Sequence, residues 1–323
     1  MKFGKLTNEQ MEDILFRKIK RKRKETIIGP GIGADCAIAD FGDNYLVIST
    51  DPITGTEKGI GRLCVNICCN DIAAAGGEPI GILITILIPP SGSLQQVEEI
   101  IDEVLQTCDE NCIDLIGGHT EISSAVNRFV LSGVSLGKRT KSPFLTIEEG
   151  DRLVMSKFAG IEGTAILAAE KKDELSGILT DKELLQAIEW IKHTSVIREG
   201  LIGRNNGAIM MHDATEGGVL GAAWEMAETV GIGLEIEMNR IPIHCVTKKI
   251  CNHFQIDPFR LISSGVMLFA VRDSQTLVHA LMTQGIEAAV IGTFREKGKY
   301  LLAHHTKMEL FPPQGDELYK VLK

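Results

Sequence analysis

Apolar and polar positions alternate along the 323-residue chain with two different periods, and the periods divide it into short strands and helices. Apolar Met11, Ile14, Leu15 and Ile19 recur at helical spacing, which predicts a helix over 8–22 with Asn8 as its cap. Three glycines and a proline then break the pattern between Ile28 and Cys36 and predict a loop. Short strands follow at 36–39 and 45–50, joined by a turn at 41–44. Residues 59–75 are nearly all small or apolar at helical spacing and predict a buried helix. The longest apolar run, 80–88, is about half of what a bilayer-spanning helix needs, and reads as a buried strand. A helix from Ser93 and strands at 113–116 and 128–136 complete the first half.

The charged, proline-containing stretch 138–150 has the composition of a domain boundary. Beyond it come a strand at 152–156, helices within 162–204, a strand at 208–212 and a helix after Gly218. Strands near 233–237 and 266–271, a helix around 275–284 and a last β region from 287 follow. The fold class is mixed α/β (α+β) in two halves, with domains expected over 1–140 and 150–323.

Composition narrows the function. The chain is 44% hydrophobic and 24% charged, as an ordinary globular protein is, and 34 basic against 43 acidic residues leave a net charge of −9. Such a balance disfavours general nucleic-acid binding. The start has no apolar core of signal-peptide length, so a cytoplasmic protein with reduced thiols and no membrane partner is expected.

Five Gly- and Asp-rich junctions at the ends of predicted strands carry the candidate chemistry: Gly33-Ala-Asp35, Ser49-Thr-Asp51, Asn70-Asp71, Gly117-Gly-His-Thr-Glu121 and Asp213-Ala-Thr-Glu-Gly-Gly218. Magnesium takes hard oxygen ligands and keeps phosphate oxygens as partners, so several aspartates around one pocket suit a magnesium polyphosphate. Glycine lets backbone N–H groups approach phosphate, and a helix starting at Gly217-Gly218 adds its positive end.

In their order, GPGIGAD (29–35), STD (49–51), NDIAAAGGEP (70–79), GGHTE (117–121), DATEGG (213–218) and SSG (263–265) resemble the motifs of the ATP-binding superfamily related to aminoimidazole ribonucleotide synthetase. That superfamily includes selenophosphate synthetase, thiamine-monophosphate kinase and the hydrogenase-maturation protein HypE, and the chain is most similar to the HypE-like members. The resemblance implies a PurM-like two-domain subunit: an N-terminal ATP-binding domain whose mixed sheets pair in a homodimer, and a C-terminal α/β sandwich. It implies ATP and Mg²⁺ as cofactors, with Asp35, Asp51, Asp71 and Asp213 as metal positions and Asp71, Glu121 and Asp213 as catalytic ones. Lys5, Asn70, Gly117, Gly118, His119, Thr120, Thr215, Gly217 and Gly218 are then the nucleotide-binding set, with Gly117, Gly118 and Thr120 in a loop that closes over the nucleotide. The implied activity is ATP-dependent phosphorylation or dehydration of a small-molecule or protein-borne substrate. Its alternative is a non-catalytic nucleotide-binding partner in metallocofactor maturation.

Some residues depart from the family pattern. HypE proper ends in a cysteine that carries a carbamoyl group, whereas this chain reads Tyr319-Lys-Val-Leu-Lys323 and its last cysteine is Cys251. Ala34 stands where several relatives have a second aspartate, and His119 where some have an acid, which gives Glu121 the carboxylate role. The basic run 17–24 lacks interleaved aromatics and reads as a solvated helix end. Cys64, Cys68, Cys69, Cys108 and Cys112 fall on apolar helices and read as packing rather than metal ligation. His212 beside Asp213 is either an acid–base group or a satisfied strand-end histidine, and His304-His305 has no ligand-spaced partner.

Overall fold

A computed structural model describes residues 6–20, 23–142, 145–303 and 306–322; Lys5 and His304-His305 lie outside the described residues. Two mixed sheets organise the chain. The first is built from β1 (Thr26–Ile28), β2 (Ala37–Phe41), β3 (Asn44–Ile53), β4 (Glu78–Ile88), β5 (Asp114–Ile122) and β6 (Val130–Thr140). Its order is β1-β2-β3-β6-β4-β5, antiparallel except for the parallel pair β4–β5 at one edge. The second contains β7 (Arg152–Ser156), β8 (Ala208–Asp213), β9 (Gly233–Glu237), β10 (Met267–Val271), β11 (Ala288–Arg295), β12 (Lys299–Ala303) and β13 (Thr306–Glu309). They run in the order β13-β12-β9-β11-β7-β10-β8. The two-half α/β architecture read from the sequence is present.

Seven helices matter to the site: α1 (Asn8–Ile14), α2 (Ile60–Ala74), α3 (Leu94–Asn111), α4 (Ile161–Glu170), α5 (Asp181–Glu189), α6 (Ile197–Asn205) and α7 (Gly218–Thr229). All fifteen residues of α2 are buried, as its small and apolar sequence requires. It packs on β3 and β6 on one side and on α3, α6 and β8 on others. Its Ile60, Leu63 and Ile67 share one continuous core with Val154, Val196, Met211 and Phe269 of the second half. Polar residues of α2 reinforce that joint. Asn66 Nδ2 donates to Thr194 Oγ1 at 3.0 Å, Asn70 Nδ2 donates to the Thr194 carbonyl at 2.7 Å, and Asn70 Oδ1 accepts from Val196 N–H at 2.8 Å.

Three expectations change. The first helix stops at Ile14 and is capped by Thr7, through a reciprocal pair with Gln10, rather than by Asn8. It buries none of its residues, so no tertiary packing sustains it further. The apolar run 80–88 is a strand, but Ile80 and Leu83 are exposed on one face. The expected strand at 113–116 continues to Ile122, so Gly117–Glu121 is not a loop but part of the edge strand β5. Gly118 has φ +150°, and a Cβ there would stand 1.9 Å from the Ile84 carbonyl oxygen, so only glycine lets β5 lie against β4.

Candidate functional site

A cavity of about 310 Å³ opens where the two halves meet, and the glycine-rich segment, β3, α2, β8 and the Thr215 turn all contribute to it. Asp35 follows Gly33, whose φ of +65° and close contact with Thr229 tuck the segment against the end of α7. Ser49 on β3 donates to the Asp35 carbonyl at 3.1 Å and makes a very short contact with Asp71 Oδ2. Asp51 lies two residues further along β3, Asp71 on the last turn of α2, and Asp213 at the end of β8. All four aspartates assigned to metal line this one cavity, with Thr215 and Glu216 beside them.

His212 lies in the same cluster. Its Nδ1 stands 2.9 Å from Asp35 Oδ2 and its Nε2 3.3 Å from Glu225 Oε2. Ligand atoms of Asp35, His212 and Asp213 all lie within 4.8 Å of one another, a spacing that fits a single cation. Burial works against a charged imidazole, but the Asp35 and Glu225 carboxylates outweigh it and hold the His212 pKa well above its usual value. His212 is thus buried and paired, as a satisfied strand-end histidine is, and it also lines the cavity.

Asp71 shows what the cluster lacks. Burial first, then the nearby charges of Asp213, Asp51 and Asp35, push its carboxyl well above the ordinary carboxylate range. Among the described residues that line the cavity there are seven carboxylates, one histidine and neither lysine nor arginine. Hard oxygen donors crowded around one imidazolium fit a magnesium ion, which would balance the charge that His212 alone does not.

Other assigned residues are placed differently. Asn70 is fully buried and commits both ends of its amide to Thr194 and Val196, at the joint between the halves, and it does not line the cavity. Gly217 and Gly218 have positive φ; the Gly217 N–H donates to Asp316 at 2.8 Å, and a Gly218 Cβ would meet the Phe259 and Leu261 carbonyls. They shape the turn after Thr215 and do not line the cavity. None of Gly117, Gly118, His119, Thr120 and Glu121 lines it either; His119 Nε2 instead meets Glu121 Oε2 at 3.0 Å on the exposed edge strand. Glu121 and Asp213 of one chain therefore do not share a site.

Glu162, Glu225 and Ser264 line the cavity although none was singled out individually from the sequence. Glu162 had a legible signal: Gly160-Ile-Glu-Gly163 is another Gly- and acid-rich strand-to-helix junction, directly after β7. Burial raises the Glu162 carboxyl to about 8, and burial likewise raises that of Asp316 to about 7. A carboxyl whose folded pKa exceeds its unfolded value of about 4 stabilises the fold below that value, and the contribution is lost as pH rises through the folded pKa. The metal-free protein is therefore expected to lose stability between about pH 5 and 8, and Glu162→Gln to flatten the decline, in calorimetric melts with a chelator. Parallel curves for the two proteins would contradict a neutral Glu162.

Residues 33–138 match the AIR synthase related protein, N-terminal domain, and residues 148–304 match its C-terminal domain. A Methanocaldococcus jannaschii chain that carries the name hydrogenase expression/formation protein is 28% identical over 98% of this chain and 97% of its own length. The carbamoyl dehydratase HypE of Escherichia coli is 22% identical, covering 86% of this chain and 83% of its own. The crystal structure of E. coli HypE superposes with a TM-score of 0.74 over 85% of this chain and 88% of that one. A HypE structure in complex with ATP gives a TM-score of 0.71 at 15% identity, covering 96% of each chain. Among the described residues no helix is long and apolar enough to cross a membrane.

Proposed function

The chain belongs to the AIR synthase related proteins, through both their domains, and from that premise we propose that it is a magnesium-dependent, ATP-binding enzyme that activates an acceptor by dehydration or phosphorylation. The observation that carries this reading is the convergence of Asp35, Asp51, Asp71 and Asp213, from four separate elements, on a cavity whose described lining has neither lysine nor arginine. Such a wall repels a bare triphosphate and accepts one that arrives with divalent cations, the electrostatic arrangement that phosphoryl transfer chiefly needs. The names of the relatives favour dehydration of a carboxamide, on a small molecule or a protein, in hydrogenase maturation.

The test is calorimetric titration with ATP, with and without Mg²⁺, followed by coupled assays of ADP and phosphate release. Binding that requires magnesium is the expected result. A well-folded protein that binds no nucleotide in either condition would sink the reading.

The same function gives β5 a role. Its residues resemble a nucleotide loop yet stand on an edge away from the cavity, and Ile80, Leu83, Leu115, Ile116 and Ile122 expose apolar surface on β4 and β5. Unpaired apolar edges of this kind are covered by a partner. A homodimer formed through these strands would carry Gly117–Glu121 of each copy toward the cavity of the other. Leu83→Lys is expected to shift the protein from dimer to monomer in sedimentation and to weaken nucleotide binding together with it. A variant that sediments like wild type would place the interface elsewhere.

A further inference from the structure

A groove of about 1020 Å³ adjoins the inter-half cavity, and the proposed magnesium and nucleotide chemistry makes no use of it. α1 forms one wall, with Glu9, Glu12 and Asp13 at the i, i+3 and i+4 positions that share a helix face. α7 contributes Trp224, Glu225 and Glu228, and the C-terminal segment contributes Pro312, Pro313 and Asp316. Among the described residues that line the groove, seven are acidic and one, Arg17, is basic. Arg17 pairs with Asp13 at 2.6 Å and Glu12 at 3.5 Å, and from outside the lining Lys299 pairs with Glu228 at 2.7 Å and His212 with Glu225 at 3.3 Å. Acids still outnumber those cations seven to three. The Lys299 ammonium also lies 5.3 Å from the centre of the Trp224 ring, so this wall already seats a cation between an indole and a carboxylate. α1 buries none of its own residues, and Leu6 in the groove and Ile14 and Leu15 on the helix are exposed. The helix therefore stands beside the groove without core packing of its own.

We propose that this groove docks an extended, basic segment of a partner protein, rich in arginine or lysine and in proline. Its acids are spread over α1, α7, the Thr215 turn and the C-terminal segment, a distribution that one small cation cannot satisfy and several cations on one chain can. Trp224, Pro312 and Pro313 supply flat apolar surface among those acids, which takes the apolar stems of arginine and lysine and the rings of proline. The net charge of −9 draws a basic partner in from solution, and the acidic groove concentrates that attraction at one place. Asn8, Ile32, Glu216, Glu225 and Tyr319 line both the groove and the cavity, so a segment laid along the groove leads to the cavity mouth. Docking of this kind is independent of whether the cavity holds a nucleotide.

The probe is a capped hexapeptide that alternates arginine and proline, titrated calorimetrically into the full chain without nucleotide. Wild type is compared with Trp224→Ala, with the double variant Glu9→Lys and Glu12→Lys, and with a control of equal net charge, Glu98→Lys and Asp102→Lys on the exposed face of α3. Spermine and a glutamate–proline hexapeptide are the comparison ligands. The basic peptide is expected to bind wild type and the α3 control within about twofold of each other, and to lose about tenfold or more in affinity in the α1 double variant and in Trp224→Ala. Binding should weaken as salt is raised. The chain has two tryptophans, of which Trp190 is buried and Trp224 half-buried, so a shift in emission on adding peptide that is missing from Trp224→Ala places the ligand in the groove. The α1 variant removes no buried contact and keeps the fold, and thermal melts check Trp224→Ala. An equal loss in the α3 control, or spermine binding as tightly as the peptide, would reduce the interaction to general attraction by an acidic chain and overturn the proposal. Equal binding of the glutamate peptide, or unchanged affinity for the basic peptide in the α1 variant, would overturn it as well.

Discussion

Asp71→Asn is expected to lose magnesium-dependent nucleotide binding while making the metal-free protein harder to melt. The two effects have one cause. Asp71 is buried at the end of α2, and Asp213, Asp51 and Asp35 raise its carboxyl well above the normal range. Without a cation the fourth acid is a liability that the fold tolerates by keeping it protonated; with a cation it is a ligand. Asparagine retains an oxygen for the Ser49 hydroxyl but offers the metal no charge, so affinity for Mg-ATP should fall by about a hundredfold or more. Relief of like-charge crowding should raise the melting temperature in chelator by about 2–5 °C at neutral pH. Calorimetric titration and thermal melts of one preparation give both numbers. A variant that binds Mg-ATP like wild type would remove Asp71 from the metal set.

Asn70→Ala, one residue away, is expected to do the opposite. Its amide donates to the Thr194 carbonyl and accepts from the Val196 N–H at full burial, so alanine strands a buried C=O and a buried N–H and leaves a void. A loss of about 3–5 kcal/mol follows from two unsatisfied groups, or about 4–7 °C in melting temperature for a protein of this size. Chemical denaturation of Asn70→Ala beside Asn70→Asp measures it. A small loss of stability with a large loss of nucleotide affinity would return Asn70 to the nucleotide set.

The contrast between these neighbours marks how far the sequence could be read. The pair Asn70-Asp71 reads as one motif along the chain, but successive residues on a helix point about 100° apart, so one faces the cavity and the other the second half. Strands such as 152–156 and 208–212 were legible because their apolar periodicity is local. β5 was legible only to Ile116, because Gly-Gly-His-Thr-Glu has the composition of a turn and is extended only by pairing with β4. The aspartates could be named from the order of their motifs. Glu162 sits on a junction of the same kind, Gly160-Ile-Glu-Gly163, whereas Ser264 is distinguished only by burial beside the cavity, which no local pattern encodes.

The fully buried helix α2 has a last consequence, for how the molecule comes apart. A single rod supplies core to both sheets and carries Asp71 at its end. The first sheet shares its main core with the second half through α2, whereas the second sheet also keeps a separate core that includes Leu153, Met155, Ile236 and Phe294. A cut in the connecting stretch after β6 is therefore expected to unfold the first piece more readily than the second, and heat to loosen the shared joint around α2 before the second core.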